Sequence, residues 1–516
     1  MIFKIPMIGQ NGLMNDLPLS DMPPNVITFA QNVRCRDGLI ELVYGHTELS
    51  NGTSTDFAPY FTIYNGDSAT GYWLLAGLNK IYCSQRGETP WTDISRVSGG
   101  NYGATADARW VGGVMNGVVI ITNGIDIPQL WAAPTSTTKM VALPYWTSTH
   151  LCKSIRPFKN YWIALNITKG SNYYPHMVKW SHPAEPGTWP ASWDETDATI
   201  DAGEVDLPGA DHIVDGGALQ DFFVIYKERS THVMQYIGGR YIFRFFPVLA
   251  ESGIMGRDCW TELNGKHIVF TASDLISHDG FQAESLLNGK MRRWLFSDID
   301  AGNSKRSFLV KQWFFNELWL CYPEAGETTC TKALVWNWKD NAISVRDLPY
   351  ITHAASGPTS DVVGSSWDVD TAPWSSDPAS WNSNELTPAL QRVVMVSPGT
   401  KQFIQADSTS RFFGEIIPAE LIRGGLTFDA PETRKLVRSV RPRIKGTGNS
   451  VLIQLGGQEH LHGPVNWGPE QTFTIDEQYK TDHLTEGRYI TLRIASNSDL
   501  WRLESLDMDI EMLGEY

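Results

Sequence analysis

The stretch WVGGVMNGVVIIT, residues 110–122, decides the fold class. Two short β-branched runs flank Asn116-Gly117, a pair that tolerates positive φ at both central positions of a two-residue hairpin turn. The same device recurs outward in both directions. VRCR-Asp37-Gly38-LIEL (33–42) reads as a second hairpin, and Lys266–Ala272 with Leu275–His278 flank a third turn. Asn-Gly or Asp-Gly pairs begin at residues 11, 37, 51, 65, 116, 123, 215, 264, 279 and 288. Between them the chain alternates with period two or forms short apolar runs, the mark of strands. Helical spacing is scarce. Ala283–Asp298 is expected to hold a short helix and 418–423 a single turn.

Aromatic-rich strand pairs recur near Tyr72–Ile81, Trp110–Thr122, Tyr161–Ile167, Phe222–Tyr236, His267–His278, Trp313–Trp338 and Val393–Ile404. The spacing is that of a four-stranded propeller blade. Radial closure also hides the edges of many short antiparallel strands. The expectation is therefore an all-β chain: a β-propeller of six to eight blades over 47–425, then a β-sandwich-like domain over 426–516. In that last part Val440, Pro442 and Ile444 alternate with Arg441, Arg443 and Lys445. Leu506, Met508, Ile510 and Met512 alternate with Asp507, Asp509 and Glu511. Such strands keep one wet face, and the acidic stripe is expected to face a basic one across the sheet. The arm 1–46 is expected to run extended through Pro6, Pro18, Pro23 and Pro24, with its Asp37-Gly38 hairpin pairing into the last blade to close the propeller. Long loop insertions are expected near 181–221 and 356–388.

The chain has 516 residues, a net charge of −15, 20 Trp and six Cys without a C-x-x-C pair. An acidic balance makes a poor sequence-independent DNA binder, because phosphate affinity comes from Lys and Arg. It does suit a surface past which DNA slides without sticking. The cysteines read as free thiols rather than a zinc or disulfide framework. The opening MIFKIPMIGQNG lacks the apolar core of a signal peptide, and no apolar run is long enough for a membrane span. No metal or cofactor is implied, and the chain is not read as an enzyme. G-x-S-x-G, H-E-x-x-H and the phosphate-loop motif are all missing. His460-x-His462 offers two imidazoles but no third ligand. Asp368-x-Asp370 and Asp507–Glu511 lack the order of a calcium loop. Ser277-His278-Asp279 joins hydroxyl, base and acid only along the chain, whereas triads assemble in space.

Charge is segregated. Arg423, Arg434, Lys435, Arg438, Arg441, Arg443 and Lys445 crowd one segment, while 194–221, beginning with Asp194, Glu195 and Asp197, holds nine acids and no Lys or Arg. The basic run is either a solvated strand face or an inter-subunit contact with such an acidic stretch on a neighbour in a ring; DNA contact is a third option. Trp189, Trp193, Trp367, Trp374 and Trp381 either fill the core or anchor a partner, since Trp is enriched at interfaces.

Several segments carry a family resemblance. The opening G-x-N-G-x-x-x-D-L-P, PPN and AQNVRCRDGLIELVYGH (30–46) resemble the start of tail nozzle proteins, also called tail tubular protein B, of short-tailed bacteriophages. WPASWDETDATIDAGEVDL (189–207), IVDGGALQDFFVIYKERSTHVMQYIGG (213–239), ESGIMGRDCW (251–260), NGKHIVFTASDLISHDG (264–280) and RYITLRIASNSDLWRLESLDMDIEM (488–512) are similar to the same family, in the same order. The resemblance implies a virion protein made in the host cytoplasm. It implies a homohexameric tube below the head-to-tail connector ring, with a DNA channel and with tail fibres, spikes or a plug as partners. It carries no catalytic residues. Two alternatives stand beside it: another virion connector or hub protein, and a glycan-binding or depolymerase propeller.

Overall fold

The computed structural model describes all residues except 20–21, 52–56, 67–70, 88–90, 240, 360–390, 449 and 515–516. Two-residue turns build the hairpins as expected. Asp37 and Gly38 have φ of 52° and 78°, Asn116 and Gly117 51° and 80°, and Asn264 and Gly265 52° and 73°. They connect Arg36 to Leu39, Met115 to Val118 and Leu263 to Lys266. Turns without an Asn-Gly signature do the same at Lys159 and Gln220, whose φ are 52° and 53°. Asp215-Gly216 is no turn at all; it lies inside the strand Ile213–Leu219. A β-carbon on Gly217, next along that strand, would collide with the Trp260 indole.

Seven four-stranded antiparallel sheets form a propeller. The blades span 59–93, 111–142, 150–206, 213–249, 260–285 and 308–351, and the seventh joins 353–357, 392–397 and 402–409 to Gly45–Asn51. First strands of successive blades lie against one another around the axis, except between the fourth and fifth, where they are further apart. Apolar layers fill the spaces between blades, and Trp supplies much of the volume. Trp73, Trp110, Trp131, Trp162, Trp193 and Trp319 are all fully buried there.

The ring does not close as the sequence suggested. The hairpin 33–42 belongs to the other domain, where Ile40 and Glu41 pair with Leu503 and Arg502. The next strand, Gly45–Asn51, pairs with Gln402–Thr409 instead. Only Val43 and Tyr44 separate the two strands. Three further readings change. Residues 420–426 form a strand, not a helical turn. The one α-helix among the described residues, Arg292–Asp298, is shorter than expected and follows a strand at Ala283–Ser285. The insertion at 181–221 shrinks to 181–202, because Gly203–Asp206 and Ile213–Leu219 are blade strands.

Both chain ends build the sandwich. One sheet runs 33–36, 39–42, 501–514, 434–446 and 481–487, with Ile2–Pro6 also on 501–514. The other runs 29–31, 420–426, 489–496 and 450–458, with two short strands beyond. Val437, Val440, Leu503, Leu506, Met508 and Ile510 alternate inward and meet Leu421, Ile453, Leu455, Leu492 and Ile494 in one core. That core continues into the fifth and sixth blades.

A buried ionic joint locks sandwich to propeller. Arg34, on the first sandwich hairpin, binds Glu317 of the sixth blade and Asp407 of the seventh, the latter at 3.1 Å. Arg346 reaches Asp407 from the other side at 3.0 Å. All four side chains are 1–2% exposed. Gln312 and the Trp319 indole donate to the two carboxylates at 3.0 Å each. The guanidiniums of Arg34 and Arg346 lie 3.6 Å from the Phe315 and 4.1 Å from the Trp319 ring centres, a second source of stabilisation for desolvated cations. Burial raises the Asp407 carboxyl, but Arg346 and Arg34 outweigh it and hold it below its ordinary value.

Candidate functional site

In a ring of like blades, the segments just before the inner strands open on one face. Three of them place an arginine there: Arg109 before Val111, Arg257 before Trp260 and Arg306 before Phe308. The first two reach backbone carbonyls of other blades, and the third reaches the Asp107 carboxylate. Arg257 donates to the carbonyls of Asp107, Arg109 and Lys153 at 2.8, 2.9 and 3.1 Å. Arg109 donates to those of Arg306, Lys305 and Thr352 at 2.9, 3.2 and 3.3 Å. Arg306 holds the Asp107 carboxylate at 2.7 Å and the Thr328 carbonyl at 2.8 Å. Burial, then repulsion from Arg109, lowers Arg257 to about 10, so it stays charged at neutral pH.

Beneath this lattice lies a second layer. Arg156 of the third blade bridges Asp215 of the fourth and Asp258 at the start of the fifth, each at 2.6 Å, and donates to the Gly112 carbonyl of the second at 2.7 Å. Asp215 is fully buried and also accepts from Ser154 at 2.6 Å and the Trp260 indole at 3.0 Å. His353 of the seventh blade sits 3.8 Å from Asp258, and burial lowers it to about 4. These contacts tie the second, third, fourth, fifth and seventh blades together near the axis.

Above the lattice is a cavity of about 660 Å³, lined by Arg109, Arg229, Arg257, Lys305 and Arg306 against Asp107 and Glu228. It carries no nucleophile paired with a base. The nearby thiols of Cys259 and Cys330 are buried, and burial pushes Cys330 up to about 12, well away from a reactive thiolate. Among the described residues no group of three or more His, Cys, Asp and Glu is placed to hold a metal ion. No helix is long and apolar enough to cross a membrane.

The residues singled out from sequence fall elsewhere. The acidic and basic stripes do face each other: Arg438 meets Glu511, and Arg441, Arg443 and Lys445 lie 3.8, 3.5 and 3.2 Å from Asp509, Asp507 and Glu504. Arg434 pairs with Glu459 at 2.8 Å. Arg423 and Lys435 are buried and so are no part of a surface patch. Arg423 donates to the carbonyls of Met22 and Pro23, and burial lowers it to about 10. Lys435 donates to the Arg488 carbonyl at 2.6 Å and is lowered to about 8 by burial, then Arg488. The acidic loop divides: Asp194 and Asp197 are exposed, and Glu195 is paired. Asp194 and Asp197 cap Thr196 and Thr199. Glu195 binds Lys179 and, at 3.3 Å, Lys169, which hold it near 2 against the upward push of burial. Trp193 is core: it is 2% exposed and packs edge-on to Trp146. Trp189 is 37% exposed. Trp367, Trp374, Trp381, Asp368 and Asp370 lie outside the described residues. His278 is buried in a chain of hydrogen bonds. Its Nε2 lies 2.8 Å from the Tyr226 hydroxyl, which lies 2.7 Å from Nδ1 of His267. His267 Nε2 lies 2.7 Å from the Ala218 carbonyl.

Sequence reasoning missed the axial residues. Their signal is position: an arginine two or three residues ahead of an inner strand becomes informative only after the blades are assigned.

No family model matches the chain, and no curated protein matches it. Among solved structures, the WD40 β-propeller domain of Doa1 is 11% identical, with 71% of this chain and 99% of that one covered and a TM-score of 0.37. The Pan2 WD40 domain of Neurospora crassa is 10% identical, with 75% and 90% covered and a TM-score of 0.29. An exo-β-1,3-galactanase of Phanerochaete chrysosporium is 10% identical, with 91% and 100% covered and a TM-score of 0.28.

Proposed function

We propose that the chain is a structural subunit of a short-tailed phage tail nozzle, in a homohexameric ring that conducts DNA from below the head-to-tail connector. The ordered resemblance along nearly the whole sequence motivates this reading. The observation that carries it is the joining of the two domains. The chain threads from sandwich to propeller and back, and a buried four-residue ionic joint fixes the crossing. A tube subunit under load needs two domains that move as one. The DNA path is a channel between subunits, and a net charge of −15 opposes sticking to phosphate. On this reading the chain is not an enzyme, and the exposed loops meet fibres, spikes or a plug.

The test is cryo-electron microscopy of the purified protein mixed with tail-deficient heads of its own phage. The expected result is a sixfold ring at the portal vertex, with propellers around an axial channel. A protein that ignores the vertex and binds or cleaves host glycan overturns the reading.

A further inference from the structure

We propose that the cavity over the propeller axis is a binding site for a small free oxyanion of the phosphate class. The argument is one of uncompensated charge. Of the five cations that line the cavity, Arg306 has Asp107 at 2.7 Å and Lys305 has Glu228 at 3.7 Å. Arg109, Arg229 and Arg257 have no carboxylate within ion-pair distance among the described residues; the buried Asp258, already held by Arg156, acts on Arg109 and Arg257 only from further off. Arg109 and Arg257 are held in place by carbonyls, which orient a guanidinium without neutralising it. Among the described residues each makes three hydrogen bonds, fewer than the five N–H donors a guanidinium carries. The arginines are thus fixed before any ligand arrives, so little ordering cost falls on binding.

Oxyanions suit such a site because a planar guanidinium presents paired donors that match phosphate oxygens. The cavity volume of about 660 Å³ admits the ion with part of its hydration shell. Arg229 comes from the hairpin between Phe222–Lys227 and Thr231–Tyr236 on the same face, and Lys305 precedes the sixth inner strand. Four blades or their leading segments therefore converge on one point, and binding there would tie them together. This inference does not depend on the nozzle reading.

The test is calorimetric titration of the full chain with inorganic phosphate, at fixed ionic strength set by chloride. The expected result is saturable binding with a Kd on the order of 1 mM. The double variant Arg229→Gln with Lys305→Gln removes two exposed lining charges and spares the carbonyl lattice. It should weaken binding about tenfold while the melting temperature stays put. Lys266→Gln, exposed and outside the cavity, should bind as the parent does. A folded parent chain that shows no saturable binding overturns the proposal, and so does a double variant that binds phosphate as tightly as the parent.

Discussion

Arg34, Arg346, Glu317 and Asp407 meet with 1–2% of each side chain exposed, whereas Arg443 and Lys445 are 65% and 66% exposed while they face Asp507 and Glu504. The residue types are the same. In the joint, four desolvated charges are held by each other, by Gln312, Trp319 and the Tyr44 carbonyl, and by aromatic faces. Along the sandwich ladder the two cations stand mostly in water. Burial therefore decides which set specifies the structure. Removing one member of the joint leaves an uncompensated charge in the interior. Removing one member of the ladder leaves a solvated one.

The largest effect should come from Arg34→Ala. It strands Glu317 and loosens Asp407, at a cost of about 3–5 kcal/mol, read as a lower midpoint in urea unfolding. Next is Tyr226→Phe, which breaks a chain of hydrogen bonds between two buried histidines. A cost of about 1–3 kcal/mol is expected by the same measurement, since two ring nitrogens lose their partner. A third prediction concerns pH. Burial lowers His267 to about 3 and His278 to about 4, from an ordinary value of 6.5. The unfolded chain binds protons near pH 6.5 while the folded one stays neutral, so stability is full above that value and falls as the pH drops toward 4. Unfolding curves at pH 7 and 5 check this; equal midpoints would mean that both rings reach water in the folded state. The smallest effect is expected at the ladder. Arg443→Gln should change stability by about 0.5 kcal/mol or less, and high salt should shrink the difference. A larger loss there would remove the contrast with the joint.

Much of this fold was legible in the sequence. The Asp-Gly and Asn-Gly turns placed hairpins correctly at residues 37 and 116 because their chemistry is local, and the hairpin read at 266–278 also forms. Strand alternation gave the sandwich faces and the facing charge stripes for the same reason. The partner of a strand is not local. VRCRDGLIEL looks identical whether it pairs with the seventh blade or with 501–514, and the choice rests on the two-residue link at Val43-Tyr44. Asp407 shows the same limit. It sits in a register irregularity with φ of 54°, and nothing around it in sequence announces that two arginines from 373 and 61 residues away converge on it. Arg109, Arg156, Asp215 and Arg257 are equally silent, because the propeller axis exists only once the ring has closed. Within the basic run near 434–445, Arg438, Arg441, Arg443 and Lys445 meet acids of the neighbouring strand 501–514.

The most direct test of the single-body account is hydrogen exchange of the native chain, read by mass spectrometry in low denaturant. Peptides covering the closing strand Gly45–Asn51, the sixth-blade strand Ala342–Ile351 and the sandwich strand Trp501–Gly514 should open with one shared free energy. In Arg34→Ala they should separate. If the sandwich opens well before the closing strand in the unaltered protein, the two domains are independent and the joint does not lock them.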